Sequence, residues 1–205
     1  MIKNIIFDLG NVIINYDPKQ IITYFTDKED EMRYLYEEIF KSPEWTLMNL
    51  GEFTIEESIE AINKRNHFTY DKLTQVFLKE WHKKQPINID VVELAKKLKK
   101  SGYGLFVLSN MANSTFQYFK HNEFFSLCSG IVISAQVHLR KPDERIYRFL
   151  LEKYHLNPEE CLFIDDDDTG KNYETANKIG IQGRRIVPNQ LEDIINLLSE
   201  YDVRF

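Results

Sequence analysis

Cysteine is nearly absent from this chain, with two in 205 residues, Cys128 and Cys161. They lie far apart and match no metal-ligand spacing, so reduced, buried thiols are the expectation. An excess of basic residues is also missing. Twenty-six Lys and Arg stand against 32 Asp and Glu, a net charge of -6. A surface built to neutralise nucleic-acid phosphates should be basic, which argues against nucleic acid as a partner. An anionic ligand would therefore need a local positive site. No run approaches the roughly 18 apolar residues of a membrane span. The opening MIKNIIFDLG is cut by Asp8 before it reaches the length of a secretory signal. The expectation is a cytoplasmic protein with no membrane partner. Repeats, low-complexity tracts and Gly/Ser linkers are lacking too. What is present is 43% hydrophobic and 28% charged residues, the make-up of an ordinary globular protein. The length suits one α/β domain with a modest insertion.

Short apolar runs recur at residues 2–7 (IKNIIF), 104–108 (GLFVL), 131–134 (IVIS), 161–164 (CLFI) and 185–187 (RIV). Runs of this kind fit strands buried on both faces of a parallel sheet. Helical patterns separate them over 90–100, stopped by Gly102, and over 143–154, 172–179 and 191–199. The alternation predicts an α/β fold, a doubly wound (Rossmann-like) parallel sheet. Residues 16–86 differ. They hold no convincing strand and many helix starts: Asp17-Pro18, Ser42-Pro43, Thr54 with Glu57, and Thr69. Met32, Leu35, Ile39 and Phe40 fall at helical spacing, and Phe25, Trp45, Phe68, Phe77 and Trp81 could fill a separate small core. The expected organisation is a core of 1–15 and 87–205 with an inserted, all-helical cap of 16–86. The cap would cover the carboxyl ends of the strands, where such sheets bind ligands.

Four chemistry-bearing features follow the apolar runs. Asp8 follows the first and Ser109-Asn110 the second; Lys141 lies beyond the third, and Asp165–Asp168 follow the fourth. Loops at strand carboxyl ends converge, so a carboxylate, a hydroxyl, an ammonium and an acidic cluster should meet in one cleft. Packed carboxylates repel unless a cation joins them. Oxygen-only ligands suit a hard ion such as magnesium. A lysine beside a phosphate supplies a point charge, a serine hydroxyl and backbone N–H groups bind its oxygens, and an aspartate can attack phosphorus. Each feature alone is commonplace, a turn Asp, a solvated Lys or an acidic surface run; the four together, in this order, are far more specific.

Over nearly its full length the chain resembles the haloacid dehalogenase superfamily of hydrolases. IIFDLGNVI resembles the strand and nucleophile Asp of that family, VLSN its phosphate-binding motif, and RKPDERIY its lysine motif. FIDD followed by Asn172, Ala176 and Gly180-Ile181 resembles its acidic metal motif. The resemblance implies a magnesium-dependent phosphatase acting on a small-molecule phosphate ester through an aspartyl phosphate. Asp8 and Lys141 would be catalytic. Ser109, Asn110 and Lys141 would bind the phosphate. Asp8, the Gly10 carbonyl, Asp165 and Asp166 would hold the metal. The wording DLGN is nearest a subgroup that includes bacterial α-D-glucose-1-phosphate phosphatases, which implies a sugar phosphate or a similar metabolite.

The chain departs from this pattern at Gly10, where most of the family's phosphatases carry a second Asp that protonates the leaving group and activates water. Such help is typically worth about 10²–10⁴-fold. The subgroup shares the glycine. Its consequence here is slow turnover of ordinary alkyl phosphates and a preference for better leaving groups. The acidic run also admits two assignments. The end of the apolar run favours Asp165-Asp166 as the metal pair, with Asp166 direct and Asp165 acting through water. Counting back from Asn172 and Ala176 favours Asp167-Asp168, unless extra residues loop out around Asp167–Lys171. Dehalogenases of the superfamily also lack the second Asp, but they need no metal and usually lack the acidic pair, so FIDDDD favours phosphoryl transfer. A mutase depends more on acid–base shuttling, which Gly10 disfavours. A non-catalytic binding module stays open as the reading from another class. Substrate choice is expected to lie in the cap and its hinges, near 15–17 and 84–89, with Trp45, Asn49 and Glu52 as candidate contacts.

Overall fold

A computed structural model describes residues 1–205. Its sheet has five parallel strands, β1 (Asn4–Phe7), β2 (Gly104–Ser109), β3 (Gly130–Ile133), β4 (Cys161–Asp165) and β5 (Gln182–Arg185). They run in the order β3-β2-β1-β4-β5. The centre of the sheet is therefore β1, with Phe7 paired to Val107 on one side and Ile164 on the other. Strands build outward from β1 first one way and then the other. A crevice opens at the carboxyl ends of the strands where the order reverses.

Between β1 and β2 the chain runs through α1 (Pro18–Thr23), α2 (Glu29–Tyr34), α3 (Pro43–Leu50), α4 (Ile55–Arg65) and α5 (Asp71–Glu80), then α6 (Ile89–Lys100). The α2 helix widens into a π-helical segment over Leu35–Phe40, and a 3₁₀ turn, Trp81–Lys84, follows α5. Beyond β2 come α7 (Asn113–Phe119), α8 (Glu123–Leu127), α9 (Ser134–Val137), α10 (Glu144–Tyr154), α11 (Lys171–Lys178) and α12 (Leu191–Glu200). Side chains alternate across the sheet. Ile5, Phe7, Leu105, Val107, Leu162 and Ile164 pack with α6, α7, α8 and α12, whereas Ile6, Phe106, Leu108 and Phe163 pack with α10 and α11. Each fully buried side chain of this size contributes roughly 1.5–3 kcal/mol.

The insertion builds its helices from the caps that its sequence carries. Asp17 accepts hydrogen bonds from the Lys19 and Gln20 amides, and Ser42 Oγ accepts one from the Trp45 amide. Thr54 and Glu57 form a reciprocal capping box. A third apolar cluster fills the space between these helices, with Phe77 fully buried 4.9 Å from Phe25 and 5.3 Å from Phe40, ring centre to ring centre. The insertion also touches the core away from its hinges. Ser134 Oγ donates to the Asn49 carbonyl, and His138 Nδ1 lies 2.9 Å from the Leu50 carbonyl. Gly51 has φ 71°, and a Cβ there would lie 2.1 Å from the Ala135 carbonyl oxygen, so only glycine fits this contact.

Three local expectations fail. Thr69 is not a helix cap. His67 and Phe68 adopt left-handed backbone, the Thr69 hydroxyl donates to the Asn66 carbonyl, and α5 starts at Asp71 without a side-chain cap. The same turn leaves Phe68 58% exposed, outside the insertion's core. The last strand lies at Gln182–Arg185 rather than 185–187, because an edge strand is defined by backbone pairing to β4 and not by apolar content. Gly183 is required there, since a Cβ would lie 2.5 Å from the Tyr173 carbonyl.

Candidate active site

The end of β1 delivers Asp8 to the crevice, with its amide hydrogen-bonded to the Ile164 carbonyl of β4 at 2.9 Å. The end of β4 delivers Asp165 and Asp166 beside it. One oxygen from each of Asp8, Asp165 and Asp166 lies within 4.8 Å of the other two. Lys141, 1% exposed, reaches this cluster from the loop between α9 and α10. Its Nζ lies 2.9 Å from Asp8 Oδ1 and 2.6 Å from Asp165 Oδ2. Burial works to lower the lysine pKa, but the Asp165 and Asp8 carboxylates outweigh it and hold the ammonium above its ordinary value. The Asp8 carboxyl is pushed up to about 7, chiefly by burial, against the attraction of Lys141 and with the repulsion of Asp165 and Asp166. Burial also raises Asp166. One ammonium among three carboxylates leaves a local excess of negative charge and a pocket of hard oxygen donors.

Each charged group is held by amide side chains. Asn110 accepts from the Lys141 amide at 2.8 Å and donates to the Lys141 carbonyl at 2.9 Å. Its side chain is thus spent on fixing the lysine loop. Asn172 Nδ2 lies 3.2 Å from both oxygens of Asp165. Asn11 donates to Asp166 Oδ2 at 2.9 Å while its oxygen accepts from the Tyr16 amide. Neither Asn11 nor Asn172 is among the site residues read from sequence; Asn172 appears there only as part of the acidic motif, and Asn11 leaves no signal beyond following Asp8 at short range.

The acidic run divides sharply. Asp165 is fully buried against Lys141 and Asn172. Asp167 accepts from Thr169 Oγ1 and from the Thr169 and Asn172 amides; burial would raise its pKa, but these hydrogen bonds outweigh it and hold the carboxyl low. Asp167 is thereby committed to the turn that begins α11. Asp168 is exposed, and neither of its oxygens joins the cluster around Asp8.

Ser109, Asn110, Lys141, Asp8 and Gly10 line one cavity of about 610 Å³, together with Asp166, Asp167 and Asp168. A Cβ on Gly10 would meet nothing within 4 Å, so the position stands open. Trp45 and Asn49 of α3 close the far wall with Tyr16, Trp81 and Gln85. Glu52 does not line it; beyond Gly51 the chain turns toward Ala135 and leaves Glu52 exposed.

A carboxylate at the centre of a doubly wound sheet, buried against a lysine and two further carboxylates, is an arrangement that fits a hydrolase. The sequence agrees: residues 5–185 match the family Haloacid dehalogenase-like hydrolase, and the chain belongs to it. A D-ribitol-5-phosphate phosphatase of Bacteroides thetaiotaomicron is 25% identical over 89% of this chain and 90% of its own length. A sesquiterpene phosphatase of Aspergillus oryzae is 22% identical over 88% of each chain. The fold is shared with a haloacid-dehalogenase-family enzyme of Bacteroides thetaiotaomicron solved with magnesium and inorganic phosphate, at TM-score 0.77 and 22% identity over 95% of this chain and 99% of that one.

Proposed function

We propose that the protein is a magnesium-dependent phosphatase of small phosphorylated metabolites, with Asp8 as nucleophile and a sugar or polyol phosphate as substrate. The observation that carries the reading is the three-carboxylate cluster around Lys141 at the sheet's switch point. A carbon–halogen hydrolase has no use for a cation-binding cluster. Two relatives that match over nearly the full length of both chains are named as phosphatases, and DLGN supports a sugar-phosphate substrate.

The donor set fits magnesium: Asp8, Asp165 and Asp166 offer only carboxylate oxygens, Asp8 is raised by burial and further by the repulsion of the other two, and a single lysine does not neutralise them. In this reading Asp8, Asp166 and the Gly10 carbonyl would hold the ion, and Asp165 would support it through water. The ion supplies positive charge to the phosphoryl oxygens. Lys141 orients one Asp8 oxygen and adds charge toward the phosphoryl group. Ser109, at the end of β2, offers its hydroxyl to the same group. An Asp8 oxygen bonds to phosphorus as the bond to the leaving oxygen breaks. Water then attacks the aspartyl phosphate, releasing inorganic phosphate and restoring Asp8. No side-chain acid stands at residue 10, so the leaving oxygen takes its proton from water. Residues 16–86 act as a cap over a core of 1–15 and 87–205 and bear on the leaving group.

Hydrolysis of an aryl phosphate with and without magnesium tests the reading. Turnover is expected to need the ion, to vanish in Asp8→Asn, and to lose its magnesium response in Asp166→Ala but not in Asp168→Ala. Turnover that persists in Asp8→Asn would overturn it.

A further inference from the structure

Four polar side chains that the mechanism does not use line the cavity, and one of them holds a buried atom with no hydrogen-bond partner. The Gln85 side chain is bonded to nothing, although the residue is only 7% exposed, and its Nε2 is buried outright. Gln85 lies just after the 3₁₀ turn, on the second hinge of the insertion, and lines the cavity. Tyr16, Asn49 and Thr115, the last 2% exposed, line the same cavity and bring a phenol, a second amide and a hydroxyl to it. They come from four separate places, namely the first hinge, α3, the second hinge and α7. Between them lie Trp45 and Trp81, ring centres 4.7 Å apart. Leaving a buried amide unpaired costs free energy. Such groups persist where a bound molecule completes them.

We infer that these residues form a subsite for a polyhydroxylated leaving group, a polyol or sugar alcohol moiety, and that Gln85 is its main specificity-determining residue. The inference rests on the phosphatase reading for what occupies the other end of the cavity. Alternating hydroxyls both donate and accept, which is what an amide, a second amide and two hydroxyls require. The indole faces suit the C–H surface of the same molecule. An apolar alcohol of similar length would fill the volume but leave the Gln85 amide unsatisfied and the other three groups without a partner on the ligand, and a site built to bond hydroxyls rejects the analogue lacking them. The aromatic pair alone would have suited a terpenoid chain; the amides and hydroxyls beside it decide against it.

The test compares an acyclic five-carbon polyol phosphate with pentyl phosphate, which share the phosphoryl group and differ in hydroxyls. Wild type is expected to favour the polyol ester in kcat/KM. In Gln85→Leu that ratio should fall about tenfold or more, the worth of one lost hydrogen bond. A purely structural Gln85 would destabilise the fold when lost, whereas Gln85→Leu removes an orphaned amide and should raise Tm without ligand. Thr115→Val gives a second, nearly isosteric variant with the same expected fall. The polyol phosphate is also titrated calorimetrically onto the Asp8→Asn protein with and without Gln85→Leu. Weaker binding in the double variant supports the subsite even if no ester is turned over, in which case only the phosphatase reading fails. Turnover of both esters with an unchanged ratio in Gln85→Leu and Thr115→Val overturns the subsite and leaves the phosphatase reading standing.

Discussion

Lys141 sits where two carboxylates need it. Breaking a buried ion pair by removing one partner is strongly destabilising, typically by about 3–5 kcal/mol, so the lysine is bound into the fold as firmly as into the chemistry. Gly10 is the opposite case. It lines the cavity, and a Cβ there meets nothing within 4 Å. The position can therefore accept the acid it lacks. Gly10→Asp is expected to raise kcat on alkyl phosphates by at least about tenfold, within the usual reach of general acid–base help, and to raise it far less on an aryl phosphate, whose leaving oxygen needs little protonation. An equal gain on both esters would mean that the new carboxyl acts on something other than the leaving group. The residues that set up this comparison were legible in the sequence because each ends or follows an apolar run. Asp8 and Asp165 close β1 and β4, and hydropathy alone marks those places. The choice within the acidic run was not legible. It depends on Asp167 bending back to Thr169 and Asn172, a local hydrogen-bond pattern that counting along the chain does not reveal.

At the scale of elements, the insertion is joined to the sheet by two hinges and by a third contact through α3 and α9. Gly51 makes that third contact possible. Gly51→Ala would strain the left-handed backbone and drive a methyl into the Ala135 carbonyl. The expected result is a lower Tm and faster proteolysis within residues 16–86, with the α/β core less affected. Unchanged proteolysis of the insertion would show that the α3–α9 contact does not hold it. The helices of the insertion could be read from their caps, Asp17, Ser42 and Thr54, because those residues satisfy amides through local geometry. The α7, α8 and α9 helices left little signal. They are four to seven residues long, too short for an apolar period to show. Of the cavity wall, Asn49 and the two hinge stretches that hold Tyr16 and Gln85 were marked in the sequence, whereas Thr115 was hidden, since it meets them only once the insertion is folded against the sheet.

For the whole molecule, the buried charges link stability to pH and to the cation. The Asp8 carboxyl is raised to about 7 in the fold, above its value in an unfolded chain. Between those two values the folded protein binds a proton that the unfolded chain releases. This group's contribution to stability is therefore full at low pH and lost as pH rises through about 7. Magnesium needs the ionised carboxylate and competes with that proton. Saturating magnesium is expected to raise Tm more at pH 8 than at pH 5.5, and chelation should reverse the gain. An equal shift at both pH values would place Asp8 outside the ion's shell.

The strand that leads to Asp8 is also the one that must wait longest for its partners. β1 is finished within the first few residues of the chain, yet it pairs with residues 104–107 on one side and 161–164 on the other. Both pairings close long loops, the kind of contact that slows folding. As the chain leaves the ribosome, the helices of residues 18–80 can fold on local contacts while Asp8 still lacks a sheet to stand in. Partly made chains thus carry Asp8 without its lysine, its acidic neighbours or its pocket. The charged cluster around Asp8 is not assembled until about four-fifths of the protein has been synthesised.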